Sequence, residues 1–210
     1  MASQLAADPA VTKIARPSRP GRLGQWLVRR RIAVTIVLIA LLVTIDLLVF
    51  RNQPRDVLRL SDPLVVVAEM LILAGLAIRS WAAGTLRKQK QLATSGPYAW
   101  VRNPLYAGSF LMMLGFGTLM HDPLTLWIIA GPVAWMYWQA VRTEERQMAK
   151  MFPSEWPQYS AAVPRFLPRR LIVPQAGEWS LAQWRHNLEY QAWLGSALAL
   201  IGLKVWLAAL

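Results

Sequence analysis

Residues 104–141 read PLYAGSFLMMLGFGTLMHDPLTLWIIAGPVAWMYWQAV. Two apolar runs, 104–120 and 123–141, are separated only by His121 and Asp122. A bilayer core is about 30 Å thick and a helix rises about 1.5 Å per residue, so about 20 apolar residues cross it. A two-residue gap leaves no room for a loop, and the pair reads as a tight helical hairpin. Pro104 and Pro123 stand at the two helix starts, where a missing N–H does no harm. Pro132, next to Gly131 in mid-helix, predicts a kink.

Three further apolar segments flank this hairpin. Residues 32–50 contain one acid, Asp46; residues 63–83 begin at Pro63 and contain Glu69 and Arg79; residues 192–210 contain Lys204. The expected fold is therefore all-α: an integral membrane bundle of about five transmembrane helices. Composition agrees. Of 210 residues, 55% are hydrophobic and only 16% charged, and mean hydropathy is +0.32. A disordered chain needs the opposite balance, and a soluble domain usually has about 25% charged residues. With no cysteine and only two histidines, His121 and His186, neither a disulfide framework nor a metal site is expected.

The net charge of +12 suggests the inner face of a membrane on so greasy a chain, not nucleic acid. Residues 1–31 carry seven of the 23 Lys and Arg, 51–62 three, 79–103 five and 142–191 seven. A cytoplasmic N-terminus places 19 of the 23 inside, as the positive-inside rule requires of a bacterial inner-membrane protein. Residues 1–31 then form a basic cytoplasmic tail and 32–210 a membrane domain. A cleavable signal peptide is not expected, because FRNQPRD after the first apolar run offers no small-residue cleavage site. Ala192, Gly195, Ser196 and Ala199 give the last helix a small-residue face that suits packing against another helix; the oligomeric state is not legible.

Charges within apolar segments are functional hypotheses by default. Asp46, Arg79 and Lys204 lie close enough to helix ends to reach the interface. Glu69 is the deepest, about 10 Å in. It is read either as a helix-to-helix contact or as a wall of a substrate cavity.

Two inner-surface stretches carry the chemistry. Gly96-Pro97-Tyr98-Ala99-Trp100-Val101-Arg102-Asn103-Pro104-Leu105-Tyr106-Ala107-Gly108 is a turn followed by a helix start, with asparagine at the N-cap and proline after it. Such a start offers free N–H groups and a positive dipole end to a carboxylate or phosphate. Taken alone, it also resembles any loop-to-helix junction. The second stretch, Arg142-Thr143-Glu144-Glu145-Arg146, runs on through Phe152, Trp156, Tyr159 and Val163-Pro164-Arg165-Phe166-Leu167-Pro168. Adjacent acids on a helix diverge, so only one of Glu144 and Glu145 is expected to face a given pocket.

Together, GPYxxxRNPxYxG, a two-helix hairpin, EE, FPxEWxxY and VPRFLP resemble the isoprenylcysteine carboxyl methyltransferase / phospholipid methyltransferase superfamily over roughly residues 84–170. The resemblance implies a small membrane enzyme that uses S-adenosyl-L-methionine on a lipidic or membrane-partitioned acceptor: a prenylcysteine carboxylate, a phospholipid amine or a thiol. It implies cofactor contacts from Lys90, Gln91, Leu92, Ala93, Tyr98, Asn103, Pro104, Leu105, Tyr106 and Glu144. Asn103 replaces the family's usual histidine; it donates a hydrogen bond but carries no proton at neutral pH. Ala140 stands where the prenylcysteine enzymes have a substrate-associated arginine. Arg142 is near but about 200° away around the helix. Arg142 and Glu69 are the candidate substrate contacts, and Glu145 or Glu144 is the candidate proton acceptor if the acceptor is an amine. Gly115-Phe116-Gly117 reads as close helix packing or a cofactor-side cleft. Two other readings stay open. One is an NAD(P)H-dependent membrane reductase of the sterol reductase type, which shares an RxPxYxG element. The other is a non-catalytic helix-bundle protein.

Overall fold

The computed structural model describes residues 52–87, 91–169 and 177–209, with Val37, Leu41, Thr44 and Ile45. Apart from those four residues the expected first helix, with the basic tail, Asp46 and Lys90, lies outside the described residues. What is described is helical: α1 (Pro63–Thr85), α2 (Pro97–Trp100), α3 (Pro104–Leu119), α4 (Pro123–Met151), α5 (Trp156–Ala162), α6 (Leu181–His186) and α7 (Tyr190–Ala208). Helices α1, α4 and α7 are long and apolar enough to cross a bilayer, and α3 is a shorter apolar helix of 16 residues. The chain is an integral membrane protein built as a helical bundle.

Local rules explain where these helices begin. Asp62 accepts from Leu64 N (2.9 Å) ahead of Pro63. Asp122 accepts from Thr125 N (2.7 Å) and Thr125 Oγ1 (2.8 Å) ahead of Pro123. Both are N-caps for amides that the helix leaves without an acceptor. The hairpin between α3 and α4 turns at His121, as its spacing predicts. The kink expected at Pro132 takes the form of a π-helical segment, Ile129–Val133, inside a continuous α4. Proline has no N–H for the α ladder and crowds the preceding turn; widening that turn removes both conflicts without breaking the helix. Helix α4 also runs ten residues past the expected end at 141.

Helices α1 and α3 pack at their glycines. A Cβ on Gly75 would lie 2.5 Å from Gly108 O, and one on Gly115 would lie 2.6 Å from Ala68 O. Gly117 faces Ile129 and Leu126 of α4. The Gly115–Gly117 element is thus a packing device. Val65, Ala68, Ile72, Leu76, Leu119 and Leu203 fill the core. Leu64, Val67, Met70, Leu73, Leu194, Leu198, Ile201 and Val205 point outward, an apolar belt that belongs against lipid. Lys204 reaches to the 52–62 loop, where its Nζ donates to Asp56 Oδ1 (2.7 Å).

Candidate functional site

The two motif stretches meet. The segment after α5 lies along the segment before α3: Arg102 N donates to Pro164 O (2.8 Å) and Asn103 N to Arg165 O (3.2 Å). Tyr159 OH donates to Tyr98 O (2.8 Å). These bonds fold the VPRF segment onto the RNP segment and close a cleft of about 690 Å³ where α1, α3, α4, α5 and the residues just before α7 converge.

Gln91, Leu92, Ala93, Tyr98, Asn103, Pro104, Leu105, Tyr106, Glu144 and Glu145 all line this cleft. Tyr106 OH donates to Glu144 Oε1 (2.6 Å), bridging α3 to α4. The Tyr137 ring stands edge-on to Tyr106 at 5.5 Å and holds it in place. Both acids face the cleft, against the expectation that only one would. Successive residues diverge by about 100°; Glu144 turns to Tyr106 on α3, and Glu145 turns to Asn103 and Arg165, where the 163–166 segment meets the start of α3.

Glu145 is buried and both its oxygens are engaged. Asn103 Nδ2 donates to Oε1 (3.2 Å), Arg165 Nε donates to Oε2 (2.9 Å), and Arg102 Nε lies 3.5 Å from Oε1. Arg165 also stacks over Trp138, and Arg102 over Trp156. Through these bonds Glu145 ties α4 to both motif segments. Asn103 occupies the N-cap position but makes no capping bond; its Nδ2 donates to Glu145 instead. The start of α3, with Pro104, Leu105 and Tyr106 on the cleft wall, thus has no side-chain cap at Asn103.

The structure does not bring Glu69 or Arg142 to the cleft. Glu69 is half-buried on α1, ten residues before Arg79, and Arg142 is exposed on the far side of α4. Sequence reasoning missed Ser109, Tyr137, Asn187 and Glu189, and it read Arg79 as a surface-seeking charge. In the structure Arg79 turns inward. Its Nε and Nη2 donate to the two oxygens of Glu189 (2.8 and 2.9 Å), and Nη1 donates to Ser109 Oγ (2.5 Å). Glu189 is 3% exposed. Asn187 Nδ2 donates to Ala83 O and Leu86 O (2.7 and 3.0 Å) at the end of α1. One signal was available: Arg79 and Glu189 lie at the inner ends of two apolar segments with opposite charge.

Burial pushes the Tyr98 and Tyr159 hydroxyls above the ordinary tyrosine value, so both stay neutral phenols. Burial also lowers Arg102, against the pull of Glu145.

The phospholipid methyltransferase family matches residues 64–155. The cobalt-zinc-cadmium resistance protein CzcN of Cupriavidus metallidurans is 30% identical over 88% of this chain and 79% of its own. The nickel-cobalt-cadmium resistance protein NccN of Alcaligenes xylosoxydans xylosoxydans is 28% identical over 82% and 77%. The protein-S-isoprenylcysteine O-methyltransferase of Schizosaccharomyces pombe is 30% identical over 47% of this chain and 42% of its own. No solved structure matches. With the cleft's motifs falling in the matched region, the chain belongs to the isoprenylcysteine carboxyl methyltransferase / phospholipid methyltransferase family of membrane methyltransferases.

Proposed function

We propose that the chain transfers a methyl group from S-adenosyl-L-methionine to a lipidic or membrane-partitioned acceptor at the cytoplasmic face of a bacterial inner membrane. The observation that carries this reading is the Tyr106–Glu144 bond at 2.6 Å, which joins two distant sequence stretches inside one cleft. The donor set suits the cofactor. The start of α3, with Pro104 and Leu105 on the cleft wall, offers amides and a positive dipole end to an amino-acid carboxylate. Glu144 offers an acceptor to hydroxyl or ammonium groups. The end of α1, where Ala83 and Leu86 line the cleft, supplies the negative end of a helix dipole, which favours a cation.

The cofactor supplies an activated methyl on a sulfonium, which needs no metal and, for an anionic acceptor, no base. The chain's own work is positioning and exclusion of water. Tyr106 and Glu144 fix one wall, and Tyr137, Met148, Phe152 and Trp156 provide apolar cover. Glu144 is bonded to Tyr106, Glu145 to Asn103 and Arg165, and Glu189 to Arg79.

Radiolabelled methyl transfer from S-adenosylmethionine into total membrane lipids and a panel of thiols tests this directly, with NADPH binding as the counter-assay. Labelled product and no NADPH affinity is the expected result; NADPH binding without methyl transfer supports the reductase reading instead. The relatives that match along most of this chain are named for metal resistance, and this favours a role for the reaction under divalent-metal stress. Growth of a deletion strain on cobalt, zinc and cadmium tests that role.

A further inference from the structure

We propose that Arg79 orients the methyl acceptor by binding an anionic oxygen on it, a carboxylate or a phosphate, with Glu189 and Ser109 as positioning residues. This rests on the methyl-transfer reading of the same cleft. Arg79 reaches the cleft from α1, Ser109 from α3, and Glu189 from the start of α7. Ser109 follows Tyr106 by three residues, so both share one face of α3, with Ser109 about one turn further from the inner surface. Arg79 therefore meets α3 about one turn deeper along that helix than the Tyr106–Glu144 pair does.

Hydrogen-bond capacity separates this from a purely structural tie. A guanidinium has five N–H donors. Glu189 takes two and Ser109 one. One donor remains on each terminal nitrogen, and these can bind a carboxylate or phosphate oxygen. The Arg79 side chain is 24% exposed where its partner is 3% exposed. The carboxylate is thus sealed while the cation stays open to the cleft. A buried ion pair is a poor source of stability compared with apolar packing, and inside a membrane segment such a pair marks a ligand path. The other cleft cations are held elsewhere: Arg102 beside Glu145, and Arg87 on Glu178 outside.

The test uses the full chain in phosphatidylcholine nanodiscs, with calorimetric binding of two probe pairs: dodecanoate against methyl dodecanoate, and dodecyl phosphate against dodecanol. The wild type should prefer the anion by roughly tenfold or more in at least one pair. The pair that discriminates identifies the source. In Arg79→Gln/Glu189→Gln, a neutral hydrogen-bonded pair, and in Arg79→Glu/Glu189→Arg, a reversed one, that preference should vanish while S-adenosylhomocysteine affinity stays unchanged. Arg79→Lys, which keeps the charge without the guanidinium, should retain part of it. A wild type with no preference in either pair, or a reversed pair that keeps it, overturns the assignment. A wild type that shows the preference but binds no S-adenosylhomocysteine leaves the anion site standing and removes the methyl-transfer reading.

Discussion

Replacing Glu145 by alanine should destabilise the inner half of the molecule more than it alters any chemistry. The carboxylate is 8% exposed and holds Asn103 at 3.2 Å and Arg165 at 2.9 Å, with Arg102 beside it. Breaking a fully buried pair costs about 3–5 kcal/mol. Here the Arg165 side chain is 40% exposed and can rehydrate, whereas Arg102 is 12% exposed and cannot. Discounting the exposed partner leaves about 2–4 kcal/mol. In a chain of this size that lowers the melting temperature by roughly 5–15 °C. Glu145→Gln keeps the shape and one accepting oxygen but leaves Arg102 uncompensated and sets an NH2 against a donor, so its effect should approach that of alanine. Thermal unfolding in detergent measures both variants. If Glu145→Ala melts with the wild type while its methyl transfer collapses, Glu145 is a chemical group and the tie is misassigned.

Gly75→Leu and Gly115→Leu should each prevent α1 from seating on α3, because a Cβ already meets backbone within 2.6 Å; loss of a monodisperse detergent-solubilised peak checks this. Tyr106→Phe removes the 2.6 Å bond to Glu144 but keeps the ring against Tyr137, so S-adenosylmethionine affinity should fall roughly tenfold with little change in melting. The hydrogen bond from Lys204 holds the Asp56 carboxyl below the usual range. A lowered native value contributes stability above the ordinary carboxylate value, lost as pH falls through the native one. The melting difference between wild type and Asp56→Asn should therefore be present at pH 7 and shrink towards pH 3.

Sequence alone carried the architecture a long way, because lipid demands long apolar helices with satisfied backbones and such runs are visible by eye. The α3–α4 hairpin and the starts at Pro63, Pro104 and Pro123 follow from local rules. The site was legible where a motif supplied it: Tyr98, Asn103, Tyr106 and Glu144 share the cleft. It was not legible where a distant partner outcompeted a local rule. Asn103 sits where an N-cap belongs, yet Glu145, 42 residues on, takes its side chain. Arg79 sits where a charge can reach the surface, yet Glu189, 110 residues on, turns it inward. Pro132 predicts a kink, and only the three-dimensional ladder shows that a π turn absorbs it. Nothing in the periodicity of one helix encodes such pairings.

Calorimetric titration of the purified chain with S-adenosylmethionine tests the central claim most directly. The account predicts saturable binding in the wild type and weakened binding in Glu144→Ala and Tyr106→Ala, both still folded. Equal affinity in all three proteins, or none in the wild type, would contradict the claim that the α3 start and the Glu144 face of α4 form one cofactor site.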